Sequence, residues 1–154
     1  RSIGSAEMAL SAMIFRIQNR VAFGGSLEKK DSIRQTIAEA RIEITKCRGL
    51  CYLAAVIADE RGFKDAKKYI AMIKVDAPRM ALKIIDDAIQ AHGGAGVSND
   101  FGLAQAYAHQ RTLRLADGPD EVHARSIARM EFARHAPSED EMETYSSGDM
   151  GATR

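Results

Sequence analysis

The sequence predicts an all-α protein, an antiparallel bundle of three long helices and two shorter ones. Apolar residues recur every three or four positions through most of the first 135 residues, which is the period of an amphipathic helix. No segment shows the strict apolar–polar alternation of a half-buried strand. At 154 residues the chain is long enough for one domain with a substantial core.

The first long helix is predicted over residues 2–22 and ends at the glycines at 24 and 25. The second, over residues 31–61, has the most regular spacing, with apolar positions in alternating steps of four and three: Ile33, Ile37, Ala40, Ile44, Cys47, Cys51, Ala54 and Ala58. This heptad-like stripe is typical of helices that pack at a shallow angle in a bundle.

The third long helix is predicted over residues 65–92. Its apolar stripe keeps its phase across Pro78, so we expect one helix with a kink near Lys74 rather than two helices. Shorter helices are predicted over residues 101–115 and 119–135. The domain therefore covers residues 1–135. Residues 136–154 are acidic and poor in apolar side chains, which predicts a disordered tail.

Composition excludes several classes of partner. The formal net charge of +1 gives no reason to expect nucleic acid, and no apolar run approaches the roughly 20 residues of a membrane span. Cys47 and Cys51 lie one helical turn apart without further ligands nearby, so we interpret them as buried apolar residues and predict no metal site.

Two motifs combine chemistry with a special backbone. Residues 90–96, Gln-Ala-His-Gly-Gly-Ala-Gly, end the third helix in a glycine cluster, where another molecule can approach the backbone closely. Residues 115–121, Leu-Ala-Asp-Gly-Pro-Asp-Glu, form an acidic turn that leads into the last helix. Taken singly, the first is also typical of a helix C-cap and the second of a helix start.

Together the two motifs resemble the C-terminal helical domain of the acyl-CoA dehydrogenases. The first matches the family's Gln-x-x-Gly-Gly-x-Gly segment, which lies against the FAD of a neighbouring subunit. In the second, Asp117-Gly118-Pro119 stands where the family commonly has Glu-Gly-Thr. The longer Asp-Gly-Pro-Asp-Glu-Val-His is similar to a subgroup sometimes fused to an aminoglycoside-phosphotransferase-like domain. The resemblance runs from about residue 2 to about residue 135.

The resemblance implies a role for each motif residue. Asp117 is the catalytic base, and Gly118 leaves room for the substrate's acyl chain. Pro119 replaces a threonine whose hydroxyl contacts the flavin, so that contact is lost or made by another group. FAD contacts are implied for six residues: Arg20, Phe23, Gln90, Gly93, Gly94 and Glu121. Without the resemblance, an arginine at position 20 is typical of a solvated last helical turn.

The activity implied is the α,β-dehydrogenation of an acyl-CoA thioester with FAD as electron sink, as in fatty-acid β-oxidation. The family places an N-terminal helical domain and a central β domain before this one, so we expect the 154 residues alone to be inactive. The implied partners are acyl-CoA, those preceding domains, an electron-transfer flavoprotein, and further copies of the chain in a tetramer or dimer. The compartment would be the cytoplasm of a bacterium, or the mitochondrion or peroxisome of a eukaryote.

Two other functions fit the same residues. One is a structural helical bundle that assembles proteins and has no site; the glycine cluster and the acidic turn favour a dehydrogenase over it. The other is an acyl-CoA oxidase-type flavoenzyme domain. Nothing in the residues distinguishes this oxidase from a dehydrogenase, because the two differ in how oxygen reaches the flavin.

Overall fold

A computed structural model describes residues 1–22, 24–136 and 142. They form five α-helices, a two-stranded hairpin and two short 3₁₀ segments, at Leu27–Lys29 and Gly93–Val97. In chain order the helices and strands are α1 (Ser2–Asn19), β1 (Val21–Ala22), β2 (Gly25–Ser26), α2 (Asp31–Arg61), α3 (Phe63–His92), α4 (Leu103–Leu113) and α5 (Asp120–Arg134). The predicted all-α bundle of three long and two shorter helices is confirmed.

Helix α3 is the centre of the bundle, because it packs against each of the other four helices. Gly62 alone joins it to α2. Its φ of +85° is accessible to glycine, and its N–H donates to the Ala58 carbonyl at 3.0 Å, so the two long helices run antiparallel. The largest side chains of the core come from α1, α2, α3 and α4: Leu10, Met13, Ile44, Ile84, Ile85 and Leu103.

The heptad stripe of α2 faces the core as predicted, since all eight positions are buried or half-buried. Cys47 is fully buried, and this burial is the main reason that the pKa of its thiol is raised to about 12. Glu7 of α1 pairs with two arginines of α2 that lie outside this stripe. Its carboxylate accepts two bonds from Arg41, both at 2.9 Å, and one from Arg48 at 2.7 Å.

The prediction that the chain contains no strand is wrong at one place. Helix α1 ends at Asn19 rather than at residue 22, and Arg20 is extended (φ −98°, ψ 121°). Val21 then pairs with Ser26 and Ala22 with Gly25 in an antiparallel hairpin. Strands of two residues are too short to show an alternating pattern, and the turn is permitted by Gly24 at φ +80°.

The other predicted helix ends agree with the structure within two residues. Helix α3 continues through Pro78 as one element, as expected, while the kink near Lys74 stays a prediction. Apart from residues 136 and 142, the predicted acidic tail lies outside the described residues. Within the described part of the chain, no helix is long and apolar enough to cross a bilayer.

Helix α5 has two acidic residues that pair with basic residues of α3. Asp120, at its start, is its one fully buried residue, and Glu131, near its end, pairs with Lys68 of α3. Two of its apolar side chains, Val122 and Phe132, are exposed. The ion pair at Asp120 fixes the chain directly after the acidic turn.

Candidate functional site

The acidic turn lies between α4 and α5, and its backbone is unusual. In the structure the turn extends from the end of α4 at residue 113 to the start of α5 at residue 120. Asp117 has φ +55° and is the one non-glycine residue with positive φ among the described residues; Gly118 follows at φ +95°. Two successive residues with positive φ reverse the direction of the chain sharply. Aspartate tolerates the left-handed conformation better than most residues, but it persists only where neighbouring contacts enforce it.

His123 of α5 lies against this turn. Its Nε2 is 3.2 Å from the Asp117 carbonyl oxygen. A Cβ added to Gly118 would lie 3.2 Å from the same nitrogen, so residue 118 is glycine for two reasons, its backbone conformation and the imidazole beside it. The sequence motif ends at this histidine, but its contact with the turn was not predicted.

Lys74 of α3 contacts the turn from a different helix. Its half-buried ammonium donates to the Leu113 carbonyl at 2.6 Å and lies 3.4 Å from the Gly118 carbonyl. The first carbonyl belongs to the end of α4, and the second lies directly after Asp117. One cation therefore joins the beginning of the turn to its tip.

Asp120 closes the turn with its side chain. Its Oδ2 accepts from Arg79 Nε at 3.0 Å and from Arg114 Nε at 2.7 Å, and the residue is only 3% exposed. Burial by itself would raise the pKa of the Asp120 carboxyl. The hydrogen bonds and positive charges of Arg114 and Arg79 outweigh burial and hold that pKa below its ordinary value.

Asp117 differs from Asp120 in its exposure and in its hydrogen bonds. It is exposed, and its carboxylate has no hydrogen bond or ion pair within the described residues. Glu121 is also exposed at the start of α5. Of the two carboxylates, that of Asp120 is held by two arginines, whereas that of Asp117 can be reached by a bound molecule.

The glycines of the first motif have different structural roles. Gly96 is buried, and a Cβ there would lie 2.6 Å from the Ile89 carbonyl oxygen, so this glycine is required for packing. Gly93 has φ +66° and ends α3, with its N–H directed at the carbonyls of the last helical turn. A Cβ at Gly94 would meet nothing within 4 Å, so the fold itself gives no reason for a glycine at 94.

Gln90 and Arg20, two further cofactor candidates, are exposed to solvent. The side chain of Gln90 lies on the last turn of α3, and Arg20 directly follows α1, where its carbonyl accepts from the Leu27 N–H at 3.1 Å. Phe23 lies outside the described residues. His92 is buried inside the first motif, with Nδ1 2.7 Å from the Ala88 carbonyl and its ring packed on Phe101, which is a structural role.

The two motifs are attached to different levels of α3. The acidic turn is bound through Lys74 and Arg79, whereas Gln90 and the glycines lie at the C-terminal end of the helix. At 1.5 Å per residue, Arg79 and Gln90 are about 16 Å apart along the axis. The two motifs therefore form separate surfaces along the same helix.

The sequence predicted no contact with the turn for four residues that shape it: Lys74, Arg79, Arg114 and His123. Arg114 and Asp120, opposite charges six positions apart around a turn, carried a local signal. Lys74 and Arg79 carried none, because they are separated from their partners by 39 to 44 residues. Among the described residues, no group of three or more side chains is arranged to hold a metal ion.

Comparison with known proteins gives one consistent result. Residues 1–131 match the family model of the acyl-CoA dehydrogenase C-terminal domain. The chain is 52% identical over 134 residues to the probable acyl-CoA dehydrogenase FadE2 of Mycobacterium tuberculosis, covering 87% of this chain and 33% of that protein. It is also 52% identical over 136 residues to human acyl-CoA dehydrogenase family member 11, covering 88% of this chain and 17% of that protein.

Solved structures agree in fold. Butyryl-CoA dehydrogenase from Megasphaera elsdenii superimposes with a TM-score of 0.78 at 27% identity, over 85% of this chain and 34% of that one. The FAD complex of PigA gives a TM-score of 0.80 at 26% identity, over 86% of this chain and 34% of that one. The chain thus spans about a third or less of the length of these relatives.

Proposed function

The chain belongs to the acyl-CoA dehydrogenase family, and from this membership we propose that it serves as the C-terminal domain of an FAD-dependent enzyme that oxidises an acyl-CoA thioester between its α and β carbons. In this proposal Asp117 is the catalytic base. The domain acts together with an N-terminal helical domain and a central β domain, and the 154 residues alone do not turn over substrate.

One observation supports the proposal most strongly, the contrast between the two aspartates of the turn. Asp117 has a left-handed backbone that Lys74 and His123 surround with donors, yet its own carboxylate is exposed and unpaired within the described residues. A strained residue held by its neighbours, with a reactive group left available, is typical of a functional site. A purely structural bundle would have no use for this arrangement.

The chemistry follows from the carboxylate. The α proton of a thioester is weakly acidic, so a base must lie within hydrogen-bond reach of it, and an Asp117 oxygen takes that proton. FAD, when bound, supplies the acceptor for the hydride that leaves the β carbon. Gly118 lies beside the base and, in the proposal, lines the path of the acyl chain.

The residues of this chain fit a flavin cofactor. Gly93 and Gly94 present backbone to open space, and a Cβ at either would meet nothing within 4 Å. Gln90 offers an exposed amide, and Arg20 an exposed guanidinium suited to phosphate oxygens. In the proposal these residues, with Phe23 and Glu121, hold FAD, partly across the interface between subunits of a tetramer or dimer. The electron acceptor of the reduced enzyme is an electron-transfer flavoprotein.

The test is Asp117→Asn in the flavoenzyme that contains this domain, with FAD retained. Anaerobic mixing with a good acyl-CoA substrate should reduce the flavin several orders of magnitude more slowly than in the wild type. Asp59→Asn, an exposed aspartate on α2, is the matched control and should leave the rate unchanged. A reduction rate in Asp117→Asn within a few-fold of wild type contradicts the proposal and directs attention to Glu121.

The same enzyme distinguishes a dehydrogenase from an oxidase. In air, with acyl-CoA and no other acceptor, an oxygen electrode should record only slow consumption of oxygen. Rapid consumption that matches the rate of flavin reduction would assign the domain to the acyl-CoA oxidase type instead.

A further inference from the structure

The backbone carbonyls of the acidic turn receive their donors from two places. His123 lies against the Asp117 carbonyl, while Lys74 bonds the Leu113 carbonyl at 2.6 Å and approaches the Gly118 carbonyl to 3.4 Å. A left-handed turn directs its carbonyls away from regular helical partners, so they need donors from elsewhere. The carbonyls on both sides of the α4–α5 reversal are thus held by one ammonium group.

Lys74 differs from the other groups that touch the turn. Arg114 and Asp120 belong to the turn itself, and His123 follows it on α5, so these groups would move with it. Arg79 does belong to α3, but it reaches the side chain of Asp120 and not the backbone. Among the described residues, Lys74 alone bonds carbonyls of the turn from a helix other than α4 and α5.

That helix also carries the glycine segment. Lys74 precedes Gln90 by 16 residues of one continuous helix, about 24 Å along the axis. Helix α3 is the central and most buried helix of the bundle, which makes it a rigid frame. The distance between the Asp117 turn and the segment that faces the cofactor is therefore set through α3 and the side chain of Lys74.

We propose that Lys74 is a positioning residue of the reaction, which holds the catalytic Asp117 at its working distance by bonding the carbonyls on either side of it. The inference rests on the proposed function. Lys74 itself touches no reacting atom. Its loss allows the turn to relax and moves the carboxylate. A displacement on the order of 1 Å lowers the rate of a proton transfer about a hundredfold without weakening substrate binding.

The experiment compares Lys74→Met with Lys83→Met in the flavoenzyme that contains this domain. Lys83 lies on the same helix, in an exposed pair with Asp87 at 2.9 Å, and is the matched control. Flavin reduction is followed anaerobically over a range of acyl-CoA concentrations. Lys74→Met should lower the limiting rate at least tenfold with the substrate dissociation constant within about threefold of wild type, whereas Lys83→Met should change neither.

A double variant shows whether Lys74 acts through the base. In an Asp117→Asn background, the further substitution Lys74→Met should change the residual rate by less than about twofold, because the group that it positions is already absent. Lys74→Arg, which keeps a cationic donor, should recover most of the lost rate. If Lys74→Met does not fold, Lys74→Gln takes its place in every comparison.

Two results overturn the inference about Lys74 without touching the proposed function. One is a limiting rate in Lys74→Met equal to that in Lys83→Met. The other is a rate that falls by the same factor on Lys74→Met whether or not Asp117 is present. Asp117→Asn then still reduces its flavin slowly, and the proposed function stands. If Asp117→Asn instead reduces its flavin at the wild-type rate, the proposed function fails, and this inference fails with it. The single variant Asp117→Asn therefore distinguishes failure of this inference from failure of the proposed function.

Discussion

Two hydrogen bonds between Arg114 and Asp120 close the turn between α4 and α5. The Asp120 N–H donates to the Arg114 carbonyl at 3.2 Å, and the Asp120 Oδ2 accepts from Arg114 Nε at 2.7 Å. Arg79 of α3 donates to the same oxygen at 3.0 Å. Since Arg114 and Asp120 flank Asp117 in the chain, the conformation of the candidate base depends on a second aspartate whose carboxylate is held by arginines.

Asp120→Asn should destabilise the domain by about 1.5–3 kcal/mol, the usual range for hydrogen bonds to a charged group. The amide keeps the shape of the side chain but leaves two guanidinium groups without an anion. Urea unfolding, followed by circular dichroism, measures the change, with Asp59→Asn as the exposed control. Equal midpoints for the two variants would mean that the arginines contribute nothing to the closure of the turn.

The stability of the domain should fall at acidic pH. Arg114 and Arg79 hold the pKa of Asp120 below its ordinary value despite burial; the hydrogen bond from Arg41, aided by the charges of Arg41 and Arg48, does the same for Glu7. A carboxyl with a lower pKa in the folded state binds more protons when the chain unfolds. The stability that it contributes is therefore complete above its unfolded pKa and lost as the pH falls through the folded value.

We expect the free energy of unfolding to be flat near neutral pH and to decline below about pH 4. Urea unfolding at a series of pH values measures the slope. A double variant, Glu7→Gln with Asp120→Asn, should be less stable at pH 7 but show a shallower decline in acid. An unchanged slope in the double variant would assign the acid sensitivity to other carboxylates.

Two glycines of the first motif should respond differently to alanine. A Cβ at Gly96 would lie 2.6 Å from the Ile89 carbonyl, a contact with the backbone that cannot easily move, so Gly96→Ala should destabilise the domain by about 1–3 kcal/mol. A Cβ at Gly94 meets nothing within 4 Å, so Gly94→Ala should leave the unfolding midpoint unchanged.

In the flavoenzyme, the same Gly94→Ala variant should retain less FAD, because the methyl group projects into the space proposed for the cofactor. The flavin content of the purified protein, from the visible absorption spectrum, is the measurement. Full flavin content in Gly94→Ala would show that Gly94 does not contact the cofactor. The presence of glycine at position 94 would then have no structural explanation.

The occurrence of aspartate rather than glutamate at the proposed base, position 117, has a structural reason. Asp117 has φ +55°, a conformation that aspartate adopts several times more readily than most residues. Glutamate also extends about 1.5 Å further, by one C–C bond. Asp117→Glu should therefore slow flavin reduction on the order of a hundredfold, with FAD and substrate affinity retained. Stopped-flow reduction at wild-type speed would show that the turn adjusts to either side chain.

Local pattern determined most of this fold. The period of the apolar residues predicted five helices, and the heptad stripe of α2 identified the face that lies in the core, because side-chain direction along a helix follows from position alone. The same local information failed at residues 20–26. There the choice between another helical turn and a two-residue strand depends on pairing across the hairpin, and a pattern along the chain does not report such pairing.

The candidate site divides in the same way. Asp117, Gly118 and the glycine cluster were recognisable because the motif residues are neighbours in the chain. Lys74 and Arg79 were not, since each meets a partner at least 39 positions away in the chain, and nothing in their neighbouring sequence distinguishes them from solvated cations. Only the packing of α4 and α5 onto α3 turned these two charges into donors for the turn. The sequence therefore determined which group performs the proposed chemistry, and the tertiary structure decided what holds it in place.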